Sequence, residues 1–87
     1  MKVSVWDTYV KRDDGNVMHF DIIVPSDLTN ENIIFNFGKT YLEAKSITNA
    51  IITTKECRLC HMEQATKAIE TQISNAGYFI LEIENCN

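Results

Sequence analysis

Two stretches of alternating residues flank Asp13-Asp14-Gly15-Asn16, and they constrain this chain more than any other feature. From Lys2 to Val10, Val3, Val5 and Tyr9 alternate with Ser4, Trp6 and Thr8, the period of two that a strand requires. Val17 to Val24 is a second strand, and it stops at Pro25, which has no N–H to give to a ladder. Lys11 to Asn16 is the turn, where Asp14-Gly15 supplies the positive φ that tight hairpins demand. A four-residue loop sets Val10 opposite Val17, Thr8 opposite His19 and Trp6 opposite Asp21. One face of the hairpin then carries Val3, Val5, Met18, Phe20, Ile22 and Val24 and is expected to be core. The other carries a polar patch of Trp6, Thr8, His19 and Asp21. A loop of odd length slips the register and places Asp7 opposite Asp21 instead. The first register is expected because it segregates polarity better, although it leaves Asp7 on the apolar face.

The remaining chain supplies two helices and two strands. Ser26 to Asn30 is rich in capping residues, so a helix is expected from Thr29 or Asn30 to about Lys45, with Glu31 favourable in its first turn. Ile33, Ile34, Phe37 and Tyr41 form its apolar stripe, Phe35 and Leu42 widen it, and Gly38 weakens the helix by about 1 kcal/mol relative to alanine. The β-branched run Ala50–Lys55 reads as a third strand, followed by a loop over Glu56–His61. Ala65, Ala68, Ile69, Gln72 and Ile73 mark a second amphipathic helix closed by Gly77. Tyr78 to Glu84 is the last strand, with Phe79, Leu81 and Ile83 facing inward. The order β-β-α-β-α-β predicts a single α+β domain over residues 1–87. The expected architecture is a two-layer sandwich, a four-stranded mixed sheet with both helices on one face and each helix joining parallel strands.

Among 87 residues the net charge is −4, and no basic stripe exists to displace counterions, so neither nucleic acid nor an anionic membrane is expected as a partner. No run approaches the roughly 20 apolar residues of a membrane helix. Met1 to Asp7 reads as carrying no secretory signal, so the expected compartment is the cytoplasm, with reduced thiols. Three cysteines cannot form a complete set of internal disulfides. The expected partner is another protein or a second copy of the chain.

Reactive side chains concentrate in Glu56-Cys57-Arg58-Leu59-Cys60-His61. Parallel crossovers would bring the ends of strands two, three and four to one edge, so Cys57, Cys60, His61 and Cys86 are expected to meet. Read as a loop, Cys57-x-x-Cys60 is a zinc half-site, with Cys86 and His61 or water completing it. The same pair between a strand and a helix suits thiol–disulfide exchange, with Lys55 and Arg58 favouring a thiolate. Cys57–His61 also matches the c-type haem attachment string, whose chemistry belongs outside the cytoplasm. Free thiols packed as small hydrophobes are the plain alternative. His19 and Asp21 on one face suit an acid–base dyad or a simple polar patch. Trp6 there would mark a subunit interface.

Several of these motifs carry a family resemblance. Val5-x-Asp7-Thr8-Tyr9-Val10, Gly15-x-Val17-Met18-His19-Phe20-Asp21, Glu56-Cys57-Arg58-x-Cys60-His61, Gly77-Tyr78-Phe79-Ile80 and Cys86-Asn87 resemble a small bacterial family known as domain of unknown function number twenty twenty-four. The resemblance spans essentially the whole chain and implies a compact α/β domain of this length; it implies no activity. The leading expectation is a non-enzymatic domain whose Cys57, Cys60, His61 and Cys86 bind zinc or mediate protein contacts. The alternatives are a thiol–disulfide oxidoreductase using Cys57 and Cys60, and a structural homo-oligomer with free thiols.

Overall fold

The computed structural model describes residues 1–47 and 57–86. Strands β1 (Lys2–Lys11) and β2 (Val17–Pro25) are followed by helix α1 (Glu31–Ala44), strand β3 (Cys57–Gln64), helix α2 (Lys67–Ala76) and strand β4 (Phe79–Glu84). The β-β-α-β-α-β order is the one read from the sequence. The sheet order is β3-β1-β2-β4. Every neighbouring pair is antiparallel, so the sheet is not mixed. The difference arises at β3, which occupies Cys57–Gln64 and pairs with β1 rather than β2. That stretch was expected to be the cysteine loop. The strand expected over Ala50–Lys55 lies outside the described residues.

The hairpin turn sets the register for everything else. Arg12 N donates to Asn16 O at 2.8 Å and Gly15 N to Arg12 O at 3.0 Å, leaving Asp13, Asp14 and Gly15 as the loop. Asn16 N donates to Asp14 Oδ1 at 2.9 Å. Gly15 adopts φ +87°, the left-handed residue that closes a three-residue hairpin loop. An odd loop pairs Lys11 with Val17, Val10 with Met18 and Asp7 with Asp21. The observed register is therefore the slipped one, and the four-residue loop does not form.

This slip redistributes the core. Trp6, Val10, Met18, Phe20, Ile22 and Val24 share a buried cluster with Ile34 and Leu42 of α1. Val3, Val5 and Ile23 share another with Ile73 of α2, bordered by Ala65, Ile69 and Phe79. Alternation along β1 and β2 makes these opposite faces of the sheet. The two helices therefore cover different faces, contrary to the expected single helical layer. Trp6 and Thr8 lie on the α1 side, whereas His19 and Asp21 lie on the α2 side, so the expected patch of four is divided. Trp6 is only 7% exposed and lies beneath α1 rather than on an open sheet face.

The helices start and stop where their caps dictate. Asn30 accepts from the N–H groups of Asn32 and Ile33, and Thr66 from that of Ile69. Gly77, at φ +89°, ends α2. Ile34, Gly38 and Leu42 form the buried face of α1. In β4, Phe79 and Ile80 pack against opposite clusters, but Leu81 and Ile83 are exposed rather than inward. Lys45 Nζ donates to Cys86 O and pairs with Glu82, both at 2.6 Å, tying the chain beyond β4 to the end of α1. Among the described residues no helix is long and apolar enough to cross a membrane.

Candidate functional site

Only part of the α2-side face is apolar. Beyond Val3, Val5 and Ile23, the same alternation brings Asp7 and Tyr9 of β1 beside His19 and Asp21 of β2. Two carboxylates directly across an antiparallel pair repel each other, and this pair is held by His19. His19 Nε2 lies 3.4 Å from Asp7 Oδ1 and 3.6 Å from Asp21 Oδ1. The Tyr9 ring, opposite His19, stacks on the imidazole with centroids 4.3 Å apart and planes 14° apart. Stacking fixes the ring so that Nε2 faces both acids. Asp7, His19 and Asp21 each offer one ligand atom within 4.8 Å of the others.

The two acids differ in their surroundings. Burial, followed by the hydrogen bond and negative charge of Asp7, pushes the Asp21 carboxyl up to about 6, against the opposing charges of His19 and His61. Burial also pushes Asp7 up, but hydrogen bonds to Asp21, Cys60 and His19 outweigh it and hold Asp7 below the usual carboxylate range. Below about pH 6 the pair thus holds one proton, on Asp21, with Asp7 ionised. Asp21 Oδ1 is buried and accepts no hydrogen bond. A buried carboxylate oxygen left in that state is costly unless a cation or proton meets it.

The cysteines do not assemble as the sequence suggested. Cys57 is buried on the α1 side, where Thr8 Oγ1 lies 3.4 Å from its sulfur. Burial pushes this thiol up despite the Thr8 hydroxyl. Cys60 is exposed and faces the other way. Leu59 pairs with Trp6 and His61 with Val5, so Cys60 is the extra residue of a β-bulge. Following Leu59, it falls on the Asp7 side of the sheet by alternation, and the neighbouring Asp7 carboxylate, with some burial and the charge of Asp21, holds its thiol above its ordinary value. His61 Nδ1 lies 3.3 Å from Cys60 Sγ, and His61 Nε2 lies 3.2 Å from Glu63 Oε1. Cys86 is buried beyond β4, its thiol directed at the carbonyls of His19 and Glu84 at 3.4 and 3.3 Å. Because β3 and β4 are the two edges, Cys57 and Cys86 stand about 14 Å apart across the sheet.

These positions remove the four-residue zinc site of Cys57, Cys60, His61 and Cys86; of that set only Cys60 and His61 adjoin one another. They also remove the disulfide on which the redox reading depended. All three cysteines are free. Cys57 and Cys60 point to opposite faces of β3, and side chains that point apart cannot be bridged without backbone movement. Two site residues escaped the sequence reading: Asp7, placed in the core, and Tyr9. The position of Gly15 as third and last residue of the loop was the available signal, since it fixes an odd loop and sets Asp7 opposite Asp21.

A family model described as "Domain of unknown function (DUF2024)" matches residues 1–83. Among solved structures, the chain is similar to the NMR structure of protein NE1680 from Nitrosomonas europaea, with 40% identity over 100% of both chains and a TM-score of 0.88. No curated protein matches the chain.

Proposed function

The chain belongs to the family described as a domain of unknown function (DUF2024), and within that family we propose that it is a non-enzymatic domain binding a divalent transition-metal cation through Asp7, His19 and Asp21. The observation that carries this reading is the buried Asp21 Oδ1, which has no hydrogen-bond partner and faces two other ligand atoms. The separations support it. Ligands about 2.0–2.2 Å from a tetrahedral ion lie about 3.3–3.6 Å from one another. His19 Nε2 stands 3.4 and 3.6 Å from the two carboxylate oxygens. The Asp7 contact is a long hydrogen bond and the Asp21 contact lies beyond one, and both separations suit an ion held between the three groups.

Ligand type narrows the cation. Magnesium and calcium favour all-oxygen shells of six or more donors. An imidazole with two carboxylates suits zinc and its first-row neighbours. Tyr9 serves as the positioning residue that keeps the imidazole turned inward. Metal would displace the proton from Asp21, so binding weakens as acidity rises through about pH 6. Equilibrium dialysis against zinc tests the reading. Wild-type protein should take up one ion per chain, and Asp21→Asn or His19→Ala should abolish that uptake. Equal uptake by all three proteins would refute it.

A further inference from the structure

Among the described residues β3 is an edge of the sheet, paired with β1 on one side and with no strand on the other. Every side chain from Arg58 to Gln64 is exposed, including Leu59 at 48% and Met62 at 46%. An edge of this kind is a template for another strand unless charge, a bulge or a covering element blunts it. We propose that β3 is an interface with a second copy of the chain, the two strands pairing antiparallel about a two-fold axis between Cys60 and His61. This surface lies apart from the Asp7, His19 and Asp21 ligands and does not depend on them.

The bulge and the charges carry the argument. In a regular strand, residues three apart point to opposite faces. In β3 the extra residue cancels that inversion: Leu59 stands opposite Trp6 and Met62 opposite Ser4, both on the α1 side. Arg58 stands opposite Asp7 and Glu63 opposite Val3, both on the α2 side. Cys57 and Gln64, opposite Thr8 and Lys2, return to the α1 side. The order of faces is therefore the same read from either end of the strand. Residues directly opposite in an antiparallel pair share a face. A second β3 meets that condition along the whole strand when Cys57 lies against Gln64 of the second copy. Shifting either strand by one residue sets α1-side residues against α2-side ones.

That register brings Arg58 opposite Glu63 of the second copy and Leu59 opposite Met62 of the second copy, each pair made twice by symmetry. Opposite charges and apolar pairs stabilise neighbouring strands, and like charges repel. Exposed ion pairs contribute little energy, so Arg58 and Glu63 chiefly fix the register, while Leu59 and Met62 supply the apolar contact. The other edge lacks this match. β4 also exposes Leu81 and Ile83, but Glu82 and Glu84 have no basic residue in their strand to face, so a second β4 would bring like charges together. Pairing through β3 is isologous and closes at a dimer with one continuous sheet. A single strand pair is a small interface, so the dimer exchanges with monomer.

Sedimentation equilibrium up to millimolar concentration tests the proposal, with chelator and reductant present to exclude ion-bridged or disulfide-linked association. The mass should rise with concentration from 10.0 kDa toward twice that value. Leu59→Lys and Met62→Lys should each weaken association at least about tenfold, because the axis repeats every substitution. Combining Leu59→Lys with Met62→Glu sets the introduced charges opposite each other and should restore the dimer. Denaturation at low concentration checks that each variant is folded. A wild-type mass of one chain at every concentration would overturn the interface. A dimer untouched by Leu59→Lys would place association elsewhere, and a folded double variant that stays monomeric would overturn the register.

Discussion

The hairpin of β1 (10 residues) and β2 (9 residues) shows two faces, and among the described residues each face buries one side-chain polar atom without a hydrogen-bond partner. On the α1 side it is Trp6 Nε1, and on the α2 side it is Asp21 Oδ1. Around Trp6 stand Met18, Phe20, Ile22 and Val24, all fully buried. Around Asp21 stand a second carboxylate and an imidazole at 3.6 Å. An orphaned donor in an apolar core is a tolerated cost. An orphaned acceptor among other ligand atoms is an opening for a cation. Whether a buried polar defect is strain or site depends on the next shell of residues, and here a shift of one residue in register decides which residues form that shell.

The largest effect expected from disturbing the contrast is on the dry face. Phe20 is fully buried against Tyr41, with ring centroids 4.7 Å apart. Phe20→Ala should cost about 3–5 kcal/mol, a large share of the stability of a domain this small. Chemical denaturation should show the midpoint falling steeply or the cooperative transition vanishing. Replacing its same-strand neighbour Asp21 should not do this. Comparable losses at both positions would mean that the α2-side face is core as well.

The next effect has the opposite sign. The folded value of Asp21 is about 6, above its ordinary 3.8. Between those values the folded chain binds more protons than the unfolded chain, so stability falls as pH rises through that window. The contribution of Asp21 is fully present below about pH 4 and is lost above about pH 6. Asp7 runs the other way at lower pH: its value is depressed, so its contribution is lost as pH falls through its folded value. Asp21→Asn keeps a donor for Asp7 and removes the buried charge. It should therefore raise metal-free stability near pH 7 by on the order of 2 kcal/mol and change little near pH 4. Denaturation at the two pH values, with chelator present, measures this. A variant less stable than wild type at pH 7 would contradict it.

What the sequence disclosed follows the same line. Helix limits were legible because Asn30, Thr66 and Gly77 are local signals whose chemistry acts within a turn. Strands β1 and β2 were legible from alternation, which is also local. Register was not, because polarity segregation assumes that one face is open to water, and here helices cover both. Val3 and Val5 are apolar for α2, and Trp6 and Val10 are apolar for α1. The Cys57–His61 segment misled for a similar reason. Its spacing resembles a metal loop, but Cys57 and Cys60 lie in a strand, where residues three apart point to opposite faces. The family resemblance marked Asp7, His19 and Asp21 within its motifs without grouping them. The pairing of β1 with β2 does that.

The smallest effect concerns the other orphan. Trp6 is 7% exposed and its Nε1–H meets no acceptor. Leaving such a donor buried costs about 1–3 kcal/mol. Trp6→Phe removes that donor and also removes part of the ring system, which leaves a cavity beneath α1 and loses apolar contact of similar worth. The two terms oppose each other, so the change should lie within about 1 kcal/mol, whereas Trp6→Ala should cost about 3–5 kcal/mol. Urea denaturation of the two variants separates the terms. A Phe variant nearly as damaged as the Ala variant would mean that the indole N–H has a partner after all, and the dry face would then hold a polar contact as the other face does. A near-neutral Phe variant, set beside loss of metal uptake in Asp21→Asn, would show that the two orphans differ in kind: one is interchangeable with hydrocarbon and the other is a ligand.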